Sequence, residues 1–256
     1  MIDSHCHILP EIDDGSESLE MTIDMVNQAK SDGITHILAT PHHYDGRYLN
    51  YASDIEQQVA IVQEELDRRG INVILFPSQE VRVHIDLLDH IKKGEILFAD
   101  LNQTYLLLEL PSDSIPIYFD QLLFDLRVND IQPVIVHPER HEILMKNPSL
   151  LAEYIKRGCY GQLTAASYLG KFGEEVQHAA EQMLDQGLVH LIASDAHRPE
   201  GNQRYLMTEA LKKVEKKYGE TTVFDLKQNA KSLINGDPLI TDFHVEKKRQ
   251  KRWRLF

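Results

Sequence analysis

Cysteine is scarce in this chain: Cys6 and Cys159 are the only two in 256 residues. That excludes a disulfide scaffold and fits a reducing compartment, so a cytoplasmic location is expected. No apolar run reaches the roughly 18 residues of a membrane-spanning helix. No basic stretch followed by an apolar one opens the chain, so no signal peptide is expected. Three catalytic signatures are also missing. Cysteine phosphatases use C-x5-R, but the residue six beyond Cys6 is Ile12 and the residue six beyond Cys159 is Ala165. There is no G-x-x-x-x-G-K-[ST] loop to cradle ATP phosphates and no G-x-S-x-G nucleophile elbow. Kinase, serine-hydrolase and cysteine-nucleophile chemistry lose their main support.

Basic residues are in deficit as well, 27 against 40 acids, for a net charge of −13. Six of them, Lys247, Lys248, Arg249, Lys251, Arg252 and Arg254, fall in residues 247–256 without a single acid. The body of the chain is therefore more acidic than its net charge implies. An acidic body disfavours a nucleic-acid backbone and suits a site that concentrates cations. The expected organisation is one domain over residues 1–240 and a basic C-terminal tail over 241–256. The tail, with Trp253, Leu255 and Phe256 among its cations, reads either as a solubilising end or as a segment that docks on the anionic cytoplasmic leaflet.

Apolar strand candidates recur along the body: Met1–Ile8, Thr35–Thr40, Asn72–Phe76, Tyr105–Leu110, Pro133–Val136, Gly161–Thr164 and His190–Ala193. Several are near-continuous apolar runs, as parallel strands covered on both faces require. Helical patterns lie between them. Ile55, Val59, Val62 and Leu66 form one stripe, with Ser53 as the expected N-cap and Glu56 three residues on. Four junctions, at Gly33, Gly70, Gly158 and Gly187, read as helices ending on a left-handed glycine before a strand. Strands joined by helices point to parallel βαβ units.

Six of the seven strands end in metal-ligand side chains. The clusters are His5-Cys6-His7, Pro41-His42-His43, Gln79-Glu80, Leu108-Glu109, His137-Pro138-Glu139-Arg140 and Asp195-Ala196-His197. Only the strand near Gly161–Thr164 lacks one. Because ligands come from almost every strand, a closed or nearly closed barrel with its site at the C-terminal strand ends fits better than an open sheet. Side chains at i and i+2 share a strand face, so His5 and His7 can reach one ion, as can Asp195 and His197. Asp14 adds a donor from the Asp13-Asp14-Gly15 loop. Of His42 and His43, one binds metal and the other orients a ligand or substrate. Carboxylates closing apolar runs, as Glu80 and Glu109 do, are costly unless they meet a cation. The nine candidates are His5, His7, Asp14, His42, Glu80, Glu109, His137, Asp195 and His197. All are N or O donors, a set suited to Mn²⁺, Fe or Zn²⁺. Nine exceed the needs of one ion, and two or three ions sharing Glu80 would use them. Such clusters serve phosphate-ester hydrolysis. Arg140, Arg198 and Arg204 add guanidinium forks that match phosphate oxygens.

Together these segments resemble the PHP (polymerase and histidinol phosphatase) superfamily. They are D-S-H-C-H-I-L-P-E-I-D-D-G at 3–15, A-T-P-H-H at 39–43, Q-E at 79–80, L-E-L-P at 108–111, V-H-P-E-R at 136–140 and A-S-D-A-H at 193–197. Within it, the opening segment, H-P-E-R, the length and the basic C-terminus are similar to bacterial tyrosine-protein phosphatases of capsule and exopolysaccharide operons. The resemblance implies a distorted (β/α)7 barrel, with parallel strands and outer helices, and a trinuclear manganese-dependent site. Carried over by motif, one ion takes His5, His7, Glu80 and Asp195. A second takes Glu80, Glu109 and His137, and a third Asp14, His42 and His197. Arg140 matches the arginine that binds phosphate, and Arg204, rather than Arg198, is taken as the second. The implied substrate is phosphotyrosine on the C-terminal tyrosine cluster of a cognate polysaccharide co-polymerase kinase. The rivals are another PHP phosphoesterase, such as a histidinol phosphatase or a nuclease, and a regulatory binding module with a vestigial metal site.

Overall fold

Strand after strand, side chains two apart carry the same burden, and this parity builds the barrel. The computed structural model describes residues 1–242. Its strands are β1 (Ile2–Cys6), β2 (His36–Ala39), β3 (His42–His43), β4 (Ile74–Pro77), β5 (Glu80–Arg82), β6 (Tyr105–Glu109), β7 (Gln132–Val136), β8 (Tyr160–Thr164) and β9 (Leu191–Ala193). Every pairing among them is parallel, in the orders β1-β2-β4 and β3-β5-β6-β7-β8-β9. The two sheets are one wall. The Ser78 N–H donates to Ala39 O at 2.9 Å and the Glu80 N–H to Pro41 O at 3.1 Å, which carries the ladder across both breaks. Thus β2 with β3, and β4 with β5, act as single interrupted strands, and seven strands surround the interior.

The wall closes on itself. Asp195 N–H donates to His5 O at 2.9 Å and His7 N–H to Ala196 O at 3.0 Å, across a parallel bridge of Cys6 to Ala196. Asp3 reinforces the seam by accepting from Ser194 N–H at 2.9 Å and Ser194 Oγ at 2.5 Å.

Helices cover the outside: α1 (Leu19–Ser31), α2 (Ala52–Arg68), α3 (Leu87–Lys92), α4 (Phe119–Val128), α5 (Glu142–Lys146), α6 (Pro148–Lys156), α7 (Ala165–Tyr168), α8 (Glu174–Asp185), α9 (Met207–Tyr218) and α10 (Glu220–Asn235). The predicted stripe Ile55, Val59, Val62 and Leu66 of α2 is buried in the outer layer. Gly33, Gly70, Gly158 and Gly187 follow α1, α2, α6 and α8 with φ between +67° and +94°, the left-handed stop read from the sequence. Ser53 is not the cap of α2. The helix starts at Ala52, Tyr51 occupies the capping position without a side-chain bond, and the Ala52 N–H is satisfied by Glu95 O instead.

Two apolar layers follow from strand alternation. Leu106, Leu108 and Ile135 face outward to the helices. Leu38, Tyr105, Leu107, Val134, Val136 and Leu191 fill the interior, floored by Ala230 and Leu233 of α10 and by Leu239. Continuing each inward row toward the C-terminal end of its strand replaces carbon with donor atoms: Leu38 leads to His42, Phe76 to Glu80, Leu107 to Glu109 and Leu191 to Asp195.

Candidate metal centre

Glu80 sits at the middle of these rows, 1% exposed. Its Oε2 lies 3.4 Å from His5 Nε2, 3.2 Å from His7 Nε2 and 2.9 Å from His42 Nδ1, while Oε1 lies 2.6 Å from His137 Nε2. Asp195 Oδ1 stands 3.6 Å from both His5 Nε2 and His7 Nε2. Asp14 Oδ1 is 3.5 Å from His42 Nε2 and from His197 Nε2. Glu109 Oε2 is 3.6 Å from His42 Nδ1. All nine donors predicted from the sequence therefore meet at one mouth of the barrel. Three groups have the spacing to hold an ion: His5, His7 and Glu80; His42, Glu80 and Glu109; and His7, Asp14, His42 and His197. His42 spans two groups, so they are less separate than the motif-by-motif assignment implies.

Two of the donors sit on left-handed backbone. Inward parity at β7 belongs to Val136, so an extended His137 would face outward. Its φ of 34° and ψ of 50° turn it back into the site and start the short 3-10 helix Pro138–Arg140. Asp195 has φ 51°. Left-handed conformations at non-glycine residues cost energy and are enriched at functional sites.

The proton positions show which ring nitrogens are free to coordinate. Gln162 Nε2 donates to Ser4 Oγ at 3.0 Å, which turns its amide oxygen to His5 Nδ1 at 2.8 Å. His5 Nδ1 therefore carries the proton and Nε2 a lone pair. His197 Nδ1 donates to Asp195 O at 3.0 Å, leaving its Nε2 bare as well. The His5 and His7 Nε2 atoms are 3.2 Å apart, beside Glu80 Oε2. Three acceptors cannot face one another unless a cation or a proton lies between them. His42 Nδ1, Glu80 Oε2 and Glu109 Oε2 are buried without a hydrogen-bond partner. The residues fit a cluster of hard or borderline divalent ions.

Electrostatics registers the same demand. Burial opposes protonation of His5 and His7, yet Glu80 and Asp195 raise the first and Asp13 and Glu80 raise the second. His42, also opposed by burial, is raised by Glu80 to about 9. For Glu80 itself, burial is outweighed by His42 and His5, and the carboxyl lies well below its usual range. Burial and the charge of Glu80 push Glu109 up to about 7. Burial and Arg140 lower His137 to about 4.

A cleft of ≈ 250 Å³ opens onto the cluster, lined on its far side by Leu110, Ser112, Pro138, His141 and Leu144. Arg140 also lines it, paired with Asp195 Oδ2 and with its guanidinium carbon 5.2 Å from the Phe172 ring centroid. The second expected guanidinium is not placed there. Arg204 turns back onto Gly201 O at 2.9 Å, and Arg198 pairs with Glu17 at 2.9 Å and with Gly15 O. Gln203 takes the lining position instead. His43, on the opposite strand face from His42, packs edge-on against Tyr44 and Tyr51, and burial lowers it to about 4.

Sequence reading passed over the supports. β8 supplies no ligand, but its Gln162 holds His5 and its Thr164 Oγ1 donates to Asp195 Oδ2 at 3.3 Å. Arg82 pairs with Glu109 at 3.0 Å.

The sequence matches the family model described as "Capsular polysaccharide synthesis, CpsB/CapC" over residues 1–235. It is 34% identical to the tyrosine-protein phosphatase YwqE of Bacillus subtilis, covering 100% of both chains. It is 29% identical to the tyrosine-protein phosphatase CpsB of Streptococcus pneumoniae, covering 94% of this chain and 100% of that one. Among solved structures, a chain from the crystal structures of YwqE and CpsB, described as unique metal-dependent tyrosine phosphatases, superposes with a TM-score of 0.89 at 34% identity. That match covers 94% of this chain and 96% of the other.

Proposed function

The chain belongs to the CpsB/CapC family of capsular polysaccharide synthesis proteins, and from that premise we propose that it is a metal-dependent protein-tyrosine phosphatase. Its substrate is phosphotyrosine on a kinase of polysaccharide synthesis, and through that kinase it regulates capsule or exopolysaccharide production. The observation that carries this reading is the convergence of nine N and O donors, Glu80 at their centre, beside a cleft that also holds Arg140. Mn²⁺ suits an all-N,O set, ahead of Fe or Zn²⁺, and three ions would use every donor. Divalent cations held there supply an activated water at neutral pH and neutralise charge on the phosphoryl group.

The chain's own residues do the rest. Glu80 belongs to two of the donor groups, with His5 and His7 and with His42 and Glu109, and would serve an ion held by either. Gln162 and Asp195 O set the proton positions that leave His5 and His197 ready to coordinate. Arg140, braced by Asp195 and Phe172, presents a planar fork that matches two phosphoryl oxygens. Leu110, Pro138 and Leu144 give the cleft an apolar flank for an aromatic ring. A phenol with pKa near 10 leaves more readily than an aliphatic alcohol, so no dedicated proton donor is assigned.

No helix of the described residues is long and apolar enough to cross a membrane. The basic segment 247–256 lies outside the described residues; its charge favours contact with an anionic leaflet, where a membrane-bound kinase would be met. Liposome co-sedimentation unchanged by deleting 247–256 would dismiss that contact. The phosphatase reading is tested by turnover of a phosphotyrosine peptide, histidinol phosphate and single-stranded DNA, before and after chelator treatment and Mn²⁺ return. Phosphotyrosine should be preferred and activity should follow the metal. Full activity in metal-free protein, or preference for either other substrate, would end it.

A further inference from the structure

Asp13 and Asp14 are neighbours in sequence but face different ways. The Asp14 side chain is 47% exposed and reaches toward His42 and His197. The Asp13 side chain is 1% exposed and turned to His7. Its Oδ2 accepts from His7 Nδ1 at 2.7 Å and from the His42 backbone N–H at 3.2 Å, and its Oδ1 accepts from the Gly15 N–H at 2.8 Å. An ionised carboxylate can only accept, so His7 Nδ1 carries the proton and Nε2 is left with a lone pair. That Nε2 is the atom 3.2 Å from Glu80 Oε2. One side chain thereby joins the end of β1, the start of β3 and the loop that carries Asp14. Gln162 performs the corresponding task for His5 with a neutral amide, so only His7 of this central pair is backed by a charge.

We propose that Asp13 is a positioning residue: it fixes the tautomer and orientation of His7 and strengthens the hold of the site on divalent cations. This rests on the metal-dependent reading above. A carboxylate behind a ligating imidazole raises its basicity, and removing such partners typically lowers metal affinity about 10–100-fold.

The test compares full-length wild type, Asp13→Asn and Asp13→Ala after chelator treatment. Each is titrated with Mn²⁺ by calorimetry, its metal-free unfolding temperature is measured, and phosphatase activity is followed across Mn²⁺ concentrations. Asn keeps the shape and one acceptor but not the charge. We expect Asp13→Asn to unfold near the wild-type temperature without metal and to bind Mn²⁺ about 10–100-fold more weakly. Its activity should return at high Mn²⁺, so that the change lies in the Mn²⁺ needed rather than in saturated kcat, with Asp13→Ala further displaced. Unchanged Mn²⁺ affinity in Asp13→Asn, with or without a lower metal-free unfolding temperature, overturns the proposal, whatever becomes of the alanine variant. Wild-type protein that bound no divalent cation would instead remove the metal-dependent reading, and this inference with it.

Discussion

Replacing Gly15 with alanine tests how tightly the acidic loop is bound to the metal centre. A Cβ at Gly15 would lie 2.1 Å from His7 O, 2.6 Å from His7 Cβ and 2.8 Å from Asp13 Oδ1. Cβ atoms essentially never approach another heavy atom more closely than 3.0 Å. The nearest atoms are backbone and the root of a ligand side chain, so no flexible group can yield. The loop must retreat by about 1 Å to restore normal contact. The same retreat stretches the 2.7 Å bond from His7 to Asp13 beyond hydrogen-bonding distance and carries Asp14 away from His42 and His197. Overpacking of this kind costs about 1–3 kcal/mol. For a domain of this size each kcal/mol lowers the unfolding temperature by roughly 2–4 °C. Gly33→Ala is the control. Its Cβ meets nothing within 4 Å, but its φ is +86°, so it carries backbone strain without touching the site. Calorimetric unfolding with and without Mn²⁺ separates the two. Both variants should melt lower without metal, and only Gly15→Ala should lose most of the rise that Mn²⁺ gives the wild type. A Gly15→Ala protein with wild-type melting and a wild-type Mn²⁺ response would show that the loop is not bound to the donor cluster in this way.

Two further outcomes follow from single side chains. Arg140→Lys keeps a positive charge beside Asp195 but loses the two-point fork, so kcat/KM for a phosphotyrosine peptide should fall about 10²–10³-fold at unchanged metal content, an effect of the size seen when a charge-stabilising donor is removed. Arg204→Ala, altering a side chain that bonds Gly201 O and does not line the cleft, should change kcat/KM far less; the reverse order would contradict the placement of the two arginines. His190 is buried at the start of β9, where its Nδ1 accepts from the Gly161 N–H at 3.1 Å and burial lowers its pKa from 6.5 to about 4. The unfolded chain takes up that proton below pH 6.5 and the folded one does not, so the stabilisation is complete above 6.5 and is lost as pH falls toward 4. His190→Asn keeps an acceptor for Gly161 but does not titrate. Between pH 7 and 4.5 it should lose about 2–3 kcal/mol less stability in urea unfolding than the wild type does, and parallel losses would show that His190 is not responsible.

Much of this molecule is written plainly in its sequence. Apolar runs and the four left-handed glycines give the βα alternation, and donors clustered at strand ends give the mouth of the barrel and its nine metal-ligand candidates. What escaped was set by three-dimensional path. His137 was legible as a donor, but its means of entry, a left-handed backbone that turns it back toward the interior, is not foretold by strand parity. The breaks that make β3 and β5 short separate segments follow from the local course at Thr40-Pro41 and Ser78-Gln79, although the ladder runs through them. Gln162 carries no ligand chemistry, so nothing in its identity marks it as the residue that orients His5. Asp13 and Asp14 cannot be told apart by type or spacing; only burial shows which one supports an imidazole and which one faces the cleft. Charge and spacing do not tell where Arg204 rests: its guanidinium bonds Gly201 O within its own loop and is not part of the cleft lining. The cap of α2 moved to Tyr51 because Glu95 O was available to the first helical N–H.

The central claim is that the donors around Glu80 share a group of divalent ions. Anomalous X-ray diffraction at the manganese edge, from crystals of the full chain grown with Mn²⁺ after chelator treatment, tests it most directly. At least two peaks are expected within bonding distance of Glu80, His5, His7 and His42, with further density between Asp14 and His197. Manganese bound elsewhere, or a cluster free of anomalous signal in protein that remains active, would contradict it.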